Sequence, residues 1–257
     1  CDADIIGNGE LSLVADAECL KMVDEVFEAL NLEIVNQISN RNILFGFIEG
    51  LGYGEIEKQI LTILDKINKI GKDNAREELS KIAVKEKDID SLLKIIEKRG
   101  NFDKILAETE QLSQNETFLK GIRELKEVYS YLKAMQINEE KIELNLSIIR
   151  GQDYYTGTVF EAVMPNHREF GTVCGGGRYD NLASYFSEKN FPGVGLSIGF
   201  TRLFDLLLQN NMLENAPQSN VVLQIIPLGN TILECLSLQE YFAKHLPCDV
   251  AYENRSF

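Results

Sequence analysis

Ile149-Arg150-Gly151-Gln152-Asp153-Tyr154-Tyr155-Thr156-Gly157-Thr158-Val159-Phe160-Glu161 compresses an arginine, two glycines, an adjacent tyrosine pair and a β-branched run into one short stretch. Around it the hydrophobic period is two. Leu144, Leu146 and Ile148 alternate before Arg150, and Val159, Phe160 and Val163 form a second run. Pro165-Asn166-His167 supplies a turn, and Phe170 to Cys174 gives a third strand, so the segment predicts an antiparallel meander. Gly175-Gly176-Gly177 is expected to break that strand, with a helix over 179–186. A further strand over Gly193 to Phe200 then runs into an apolar helix from Leu203 to Leu208.

Moving outward from the meander, the punctuation changes on both sides. All five prolines (165, 192, 217, 227 and 247) lie after residue 164, so the earlier part is free to form long helices. Asp16 is placed to cap a helix carrying Leu20, Val23, Phe27 and Leu30, and Leu32, Ile34 and Ile38 alternate as a strand would. From Glu55 the period is helical for nearly ninety residues; Phe118, Ile122, Leu125, Tyr129 and Leu132 step by four, three, four and three along one stripe. Residues 56–143 therefore read as a helical insertion between 1–55 and 144–212. Downstream, Gln209 to Ser219 reads as a polar linker with Pro217, followed by a buried strand over Val221 to Pro227, a helix and a second strand at Val250. Residues 218–257 look like the start of a further α/β domain. The fold class is α+β, an antiparallel sheet flanked by helices.

Composition narrows the chemistry. The 257 residues are 44% hydrophobic and 26% charged, as in a globular protein, and correspond to about one and a half to two domains. No apolar run approaches the ~18 residues of a membrane span, and the first residues lack a basic segment followed by an apolar stretch, so a cytoplasmic chain is expected. Without an initiator Met, the chain also reads as a piece of a longer protein. Five scattered cysteines without a C-x-x-C pair point neither to a disulfide framework nor to zinc. Only His167 and His245 are present, which leaves little material for histidine-ligated metal or Ser-His-Asp chemistry.

The net charge of −14 is uneven. Residues 1–55 carry 2 basic and 11 acidic groups, 56–143 carry 17 and 18, 144–202 carry 5 and 5, and 203–257 carry 2 and 6. The helical window thus holds most of the basic side chains, as a mixed solvated surface or as phosphate contacts. Arginine is scarcer than lysine, nine against seventeen, yet Arg150, Arg168, Arg178 and Arg202 all fall between 147 and 202. A planar guanidinium grips phosphate or carboxylate oxygens bidentately, so this bias suits an anionic ligand. Arg202 sits where strand gives way to helix, where a helix N-terminus adds to the same field. Gly193-x-Gly195 lies within a strand pattern and not in a turn opening a helix, which excludes a dinucleotide fingerprint; Gly175-Gly176-Gly177-Arg178 does not continue into a P-loop. Small residues there let a ligand lie against the backbone, or make a tight turn.

Four stretches carry a resemblance. The run from Ile149 to Glu161 resembles the signature motif of histidyl-tRNA synthetases, and Cys174-Gly175-Gly176-Gly177-Arg178-Tyr179-Asp180 resembles that family's second histidine-binding motif. Pro192 to Leu203 resembles class II synthetase motif 3, and Cys1 to Gly7 is similar to the end of motif 2. The resemblance implies a six-stranded antiparallel class II catalytic sheet, a helical insertion and the start of an anticodon-binding domain. Motif 1 and most of motif 2 are not in the chain, so the chain alone is expected to be inactive. The implied activity is histidine–tRNA ligation, with histidine, ATP and tRNA(His) as partners, Mg2+ arriving with ATP and no protein metal ligand. The implied parent is a cytoplasmic homodimer with no membrane association. Arg150 would stabilise the α-phosphoryl transition state and also contact the bound histidine, Arg202 would hold ATP, Asp4 would face the substrate ammonium, and Tyr154, Tyr155 and Tyr179 would enclose the imidazole. The alternative is a non-catalytic synthetase-like regulatory subunit of ATP phosphoribosyltransferase. Such paralogues usually lose parts of the Arg150-to-Tyr155 run, which is present here.

Overall fold

The computed structural model describes residues 1–149, 154–181, 189–213 and 219–252. Arg150, Gly151, Gln152, Asp153, most of the helix expected over 179–186, and Pro217 fall outside them. The chain divides into two compact units, Cys1–Phe204 and Asp205–Phe257.

In the first unit, strand β1 (Asp2–Ile6) leads through helix α1 (Val14–Ala29) to β2 (Val35–Asn40) and α2 (Arg41–Gly50). Helices α3 (Glu57–Asp65), α4 (Ile67–Ile70), α5 (Lys72–Lys81) and α6 (Glu86–Ile96) follow, then β3 (Arg99–Asn101), α7 (Phe102–Glu110) and α8 (Glu116–Ala134). Strands β4 (Ile142–Asn145), β5 (Thr158–Val163), β6 (Thr172–Tyr179) and β7 (Gly193–Ile198) precede α9 (Phe200–Gln209), within which the first unit ends. The strands form one sheet in the order β1-β7-β6-β5-β2-β4-β3.

The sheet differs from the expected six antiparallel strands in two respects. It has seven strands among the described residues, and β2 pairs with β4 in parallel while the other neighbours are antiparallel. A parallel pair needs a long crossover, which the helices between β2 and β4 provide. The added strand, β3, has only three residues, Arg99, Gly100 and Asn101, and a period cannot be read from so few. The 56–143 window is otherwise helical, with α8 packed on α2. A Cβ at Gly46 would strike the Phe118 backbone, and one at Gly121 would meet Ile43 at 2.9 Å. Its surface pairs opposite charges: Lys72 with Glu97, Arg76 with Glu86 and Asp90, and Lys126 with Glu110.

Helix α1 covers the back of the sheet because Leu20, Val23 and Phe27 recur every three or four residues; all three are fully buried, as is Phe160 on β5. Each such side chain contributes about 1.5–3 kcal/mol of burial. The helix stops at Asn31, whose φ of 55° lets its N–H reach Glu28 O while Leu32 N–H reaches Phe27 O, a Schellman closure.

Asp16 does not cap this helix, contrary to its expected role; the N-cap position is Leu13, without a side-chain cap bond. Asp16 instead lies in the first turn, fully buried, and receives Arg178 Nε at 3.1 Å and Nη2 at 2.5 Å. The same guanidinium donates to Leu11 O at 3.1 Å and Ser12 O at 3.0 Å. Desolvation works to raise the Asp16 carboxyl, and the Arg178 charge and hydrogen bonds oppose it.

The glycine triplet does not break β6, which runs unbroken from Thr172 to Tyr179 with β5 and β7 paired on either side. Two flanking ladders satisfy its backbone groups, which outweighs the low strand preference of glycine. In the second unit, β8 (Leu223–Ile225) pairs in parallel with β9 (Cys248–Val250), joined by α10 (Ile232–Phe242). The strand expected to be buried at Val221 to Pro227 is shorter, and Val221 and Val222 are exposed.

Replacing Asp16 with Ala leaves the buried guanidinium with Leu11 O, Ser12 O and only a long 3.4 Å contact to the Asp180 carboxylate, so it is expected to lower unfolding stability by about 3–5 kcal/mol. Denaturant unfolding measures it; a loss below about 1 kcal/mol would show that Arg178 finds another partner.

Candidate active site

Register divides the sheet into two faces. Arg178 pairs with Val194, and Phe160 with Gly176, on the back. Tyr179, Gly177 and Gly175 of β6 therefore point forward, beside Gly193, Gly195 and Ser197 of β7 and Glu161 of β5. Asp4 pairs with Gly195 and shares that face.

Four glycines at alternate positions of two neighbouring strands make a floor without side chains. Three of them are roofed. A Cβ at Gly193 would collide with the Tyr179 ring, one at Gly195 with the Asp4 carboxylate, and one at Gly177 would lie 2.9 Å from the Tyr155 ring. Gly175 is open, with nothing nearer than 3.7 Å. Here the close approach demands glycine, and no unusual backbone angle is involved.

Two open hollows lie on this face and share Tyr154, Tyr155, Gly175 and Ser197. The smaller, about 390 Å³, is bounded by Asp4 and Tyr179. Tyr179 Oη donates to Asp4 Oδ1 at 2.5 Å, and the Tyr154 and Tyr155 rings stand 4.2 Å apart, tilted by 51°. Burial first, then the hydrogen bond to Asp4 and that carboxylate's charge, pushes the Tyr179 phenol up; burial and the neighbouring Tyr154 do the same to Tyr155. Both phenols stay neutral near pH 7; Tyr179 spends its one proton on Asp4, which leaves its oxygen to accept from a ligand. The larger hollow, about 570 Å³, is walled by Glu161, Thr172 and Arg202. Arg202, in the first turn of α9, donates Nη1 to Thr172 O at 2.9 Å, and Thr172 Oγ1 donates to Glu161 Oε2 at 2.8 Å.

The structure thus brings Asp4, Tyr154, Tyr155 and Tyr179 around one hollow and Arg202 into the next. Of the arginines read as anion ligands, Arg178 is consumed by Asp16, and Arg168 pairs with Glu143 at 3.1 Å. Arg150 lies outside the described residues. Two side chains with no role in the sequence reading also belong to the site. Glu161 faces the larger hollow, and Arg41 donates Nη1 to Tyr155 O at 2.7 Å. The position of Glu161 two residues beyond Val159 was a usable signal; Arg41, more than a hundred residues before Tyr155, had none.

The floor makes a prediction. Gly177→Ala and Gly195→Ala force Tyr155 or Asp4 aside and should cost about 1–3 kcal/mol of stability. Gly175→Ala should leave thermal unfolding nearly unchanged, because its methyl enters open space. Equal losses for all three in thermal melts would mean that Gly175 is also roofed.

A model of the histidyl-tRNA synthetase family matches residues 3–203. A histidine–tRNA ligase of Finegoldia magna is 46% identical over 230 residues, 89% of this chain and 53% of the relative. That of Clostridium tetani is 40% identical over 235 residues, 90% of this chain and 53% of the relative. The chain thus spans about half the length of these curated relatives. The crystal structure of histidyl-tRNA synthetase from Nostoc superposes with a TM-score of 0.82 at 30% identity, covering 100% of this chain and 62% of that one. A structure from Bacillus halodurans titled as an ATP phosphoribosyltransferase regulatory subunit/histidyl-tRNA synthetase gives a TM-score of 0.66 at 20% identity, over 97% of this chain and 62% of that one, a likeness of fold alone. A family match along residues 3–203, on strands that place a tyrosine-lined hollow beside an arginine-bearing one, makes this chain a member of the histidyl-tRNA synthetase family.

Proposed function

We propose that the parent of this chain is a histidine–tRNA ligase and that the glycine-floored cleft is where histidine meets ATP. The observation that carries this reading is the shared floor: Gly175 and Ser197 border both hollows, so ligands in the two would adjoin there. Histidine occupies the smaller hollow. Tyr154, Tyr155 and Tyr179 surround the imidazole, and Asp4 offers its carboxylate to a histidine N–H group, the ammonium in the first instance. A competing amino acid without matching donors leaves these polar groups unpaired, which is a strong source of discrimination.

ATP occupies the larger hollow, with Arg202 on its phosphates or base. The histidine carboxylate attacks the α-phosphorus and pyrophosphate leaves; the adenylate then esterifies the terminal adenosine of tRNA(His). Charge grows on the α-phosphoryl oxygens in the transition state, and Arg150 is the group assigned to it. Mg2+ arriving with ATP would supply charge to offset that of the pyrophosphate leaving group. Glu161 and Thr172 are hard oxygen donors on the wall of the same hollow, the type that Mg2+ accepts alongside phosphate and water.

The names of the relatives support tRNA(His) as the final acceptor, and the basic residues of the 56–143 window are the side chains offered to its phosphates. The same reading makes the parent a homodimer of the cytoplasm. No helix among the described residues is long and apolar enough to cross a membrane.

Histidine-dependent exchange between pyrophosphate and ATP in the parent protein tests the proposal. Exchange with histidine alone among the amino acids supports it; histidine binding without exchange favours the regulatory-subunit reading. In the active parent, Arg150→Ala should slow single-turnover adenylate formation by ~10²–10³ with little loss of ATP affinity. A rate within threefold of wild type would remove Arg150 from the chemistry.

A further inference from the structure

We propose that Arg41 is a positioning residue for the amino-acid hollow, setting the place of Tyr155 from the N-terminus of α2. The inference rests on the reading of that hollow as the histidine pocket.

Three backbone groups of the segment Tyr155 to Gly157 are held. Tyr155 O receives Arg41 Nη1 at 2.7 Å, Thr156 N–H donates to Arg178 O at 2.8 Å, and Gly157 O receives Arg41 N–H at 2.9 Å. Arg41 thus grips the segment at both ends, once with its side chain and once with its backbone. Tyr155 itself roofs Gly177, so a shift of its backbone moves the ring across the floor. The other side of Gly157 is closed: a Cβ there would lie 3.0 Å from Arg178 Cδ.

A clamp is useful only if its own base is rigid. Asn40 caps α2 by accepting from Asn42 N–H at 2.9 Å, and both Asn40 and Asn42 donate to Glu124 of α8, at 2.7 and 3.1 Å. The close α2–α8 packing at Gly46 and Gly121 fixes the helix pair. Glu57, buried in the first turn of α3, adds a negative field at the guanidinium. A hydrogen bond from a cation to a carbonyl in this partly buried setting is stronger than a neutral one, and a planar guanidinium fixes direction as well as distance.

The experiment uses the parent protein, with histidine and ATP affinities measured separately by calorimetry. Arg41→Met is expected to weaken histidine binding roughly tenfold, the order for one charge-assisted hydrogen bond, and to leave ATP affinity within about twofold. Arg41→Lys, which keeps the charge, should recover part of the loss. In a Tyr155→Phe background the Arg41→Met effect should shrink, because both act on one ring; full additivity would overturn the proposal. Equal weakening of both ligands would make Arg41 a general stabiliser and would also overturn it. Tyrosine labelled with 13C at Cζ, with the Tyr155 signal identified by its loss in Tyr155→Phe, provides a readout independent of histidine. That signal should shift in Arg41→Met and not in the surface control Arg76→Met. If the parent binds no histidine, the pocket assignment fails while the shift still tests the clamp; an unmoved signal refutes the clamp.

Discussion

The buried pair of Arg178 and Asp16 is the constraint on which the rest of the sheet depends. An arginine in the middle of a sheet has to find a carboxylate and further acceptors or pay several kcal/mol for its desolvation. Here it finds the first-turn carboxylate of α1 together with two carbonyls just before that helix. The pair ties the entrance of α1 to β6 and commits Arg178 to the back of the sheet. By the alternation of a strand, Tyr179, Gly177 and Gly175 are then committed to the front.

What stands on the front follows from that choice. Because β7 repeats the alternation with Gly193 and Gly195, two strands together leave a bare floor, and Asp4, Tyr155 and Tyr179 fold down over most of it. The open remainder at Gly175 joins the tyrosine-lined hollow to the one walled by Glu161 and Arg202. The cleft is therefore a consequence of missing side chains in two strands, roofed by side chains from β1, β6 and the Tyr154–Thr156 segment. The anchorage of that segment to α2 ties it also to α8, so helices between the two parts of the sheet help to support its front face.

Much of this was legible in the sequence, and the limits have physical causes. The strands at Thr158–Val163 and Gly193–Ile198 and the helix after Gly199 follow their periods, and α1 follows its apolar spacing. Motif resemblance named Asp4, Tyr154, Tyr155, Tyr179 and Arg202, which lie up to 198 residues apart and line adjoining hollows. Local reasoning failed where tertiary partners decide. Asp16 has the composition of a cap, yet Arg178, 162 residues away, claims it. The glycine triplet has the composition of a turn, yet ladders on both sides hold it extended. Glycine at 175 and 177, and again at 193 and 195, carries the period-two signal of one bare face, a pattern hidden in β6 by Gly176, which faces back against Phe160.

The central claim is that the front face sorts its two ligands, amino acid beside Asp4 and nucleotide beside Arg202, with the reacting groups meeting over Gly175. A crystal structure of the parent protein with histidine and a non-hydrolysable ATP analogue tests this most directly. The account predicts the histidine side chain among Tyr154, Tyr155 and Tyr179, with its carboxylate and the α-phosphate adjoining above Gly175. Histidine bound on the Arg202 side, or on the helix-covered back of the sheet, would contradict it.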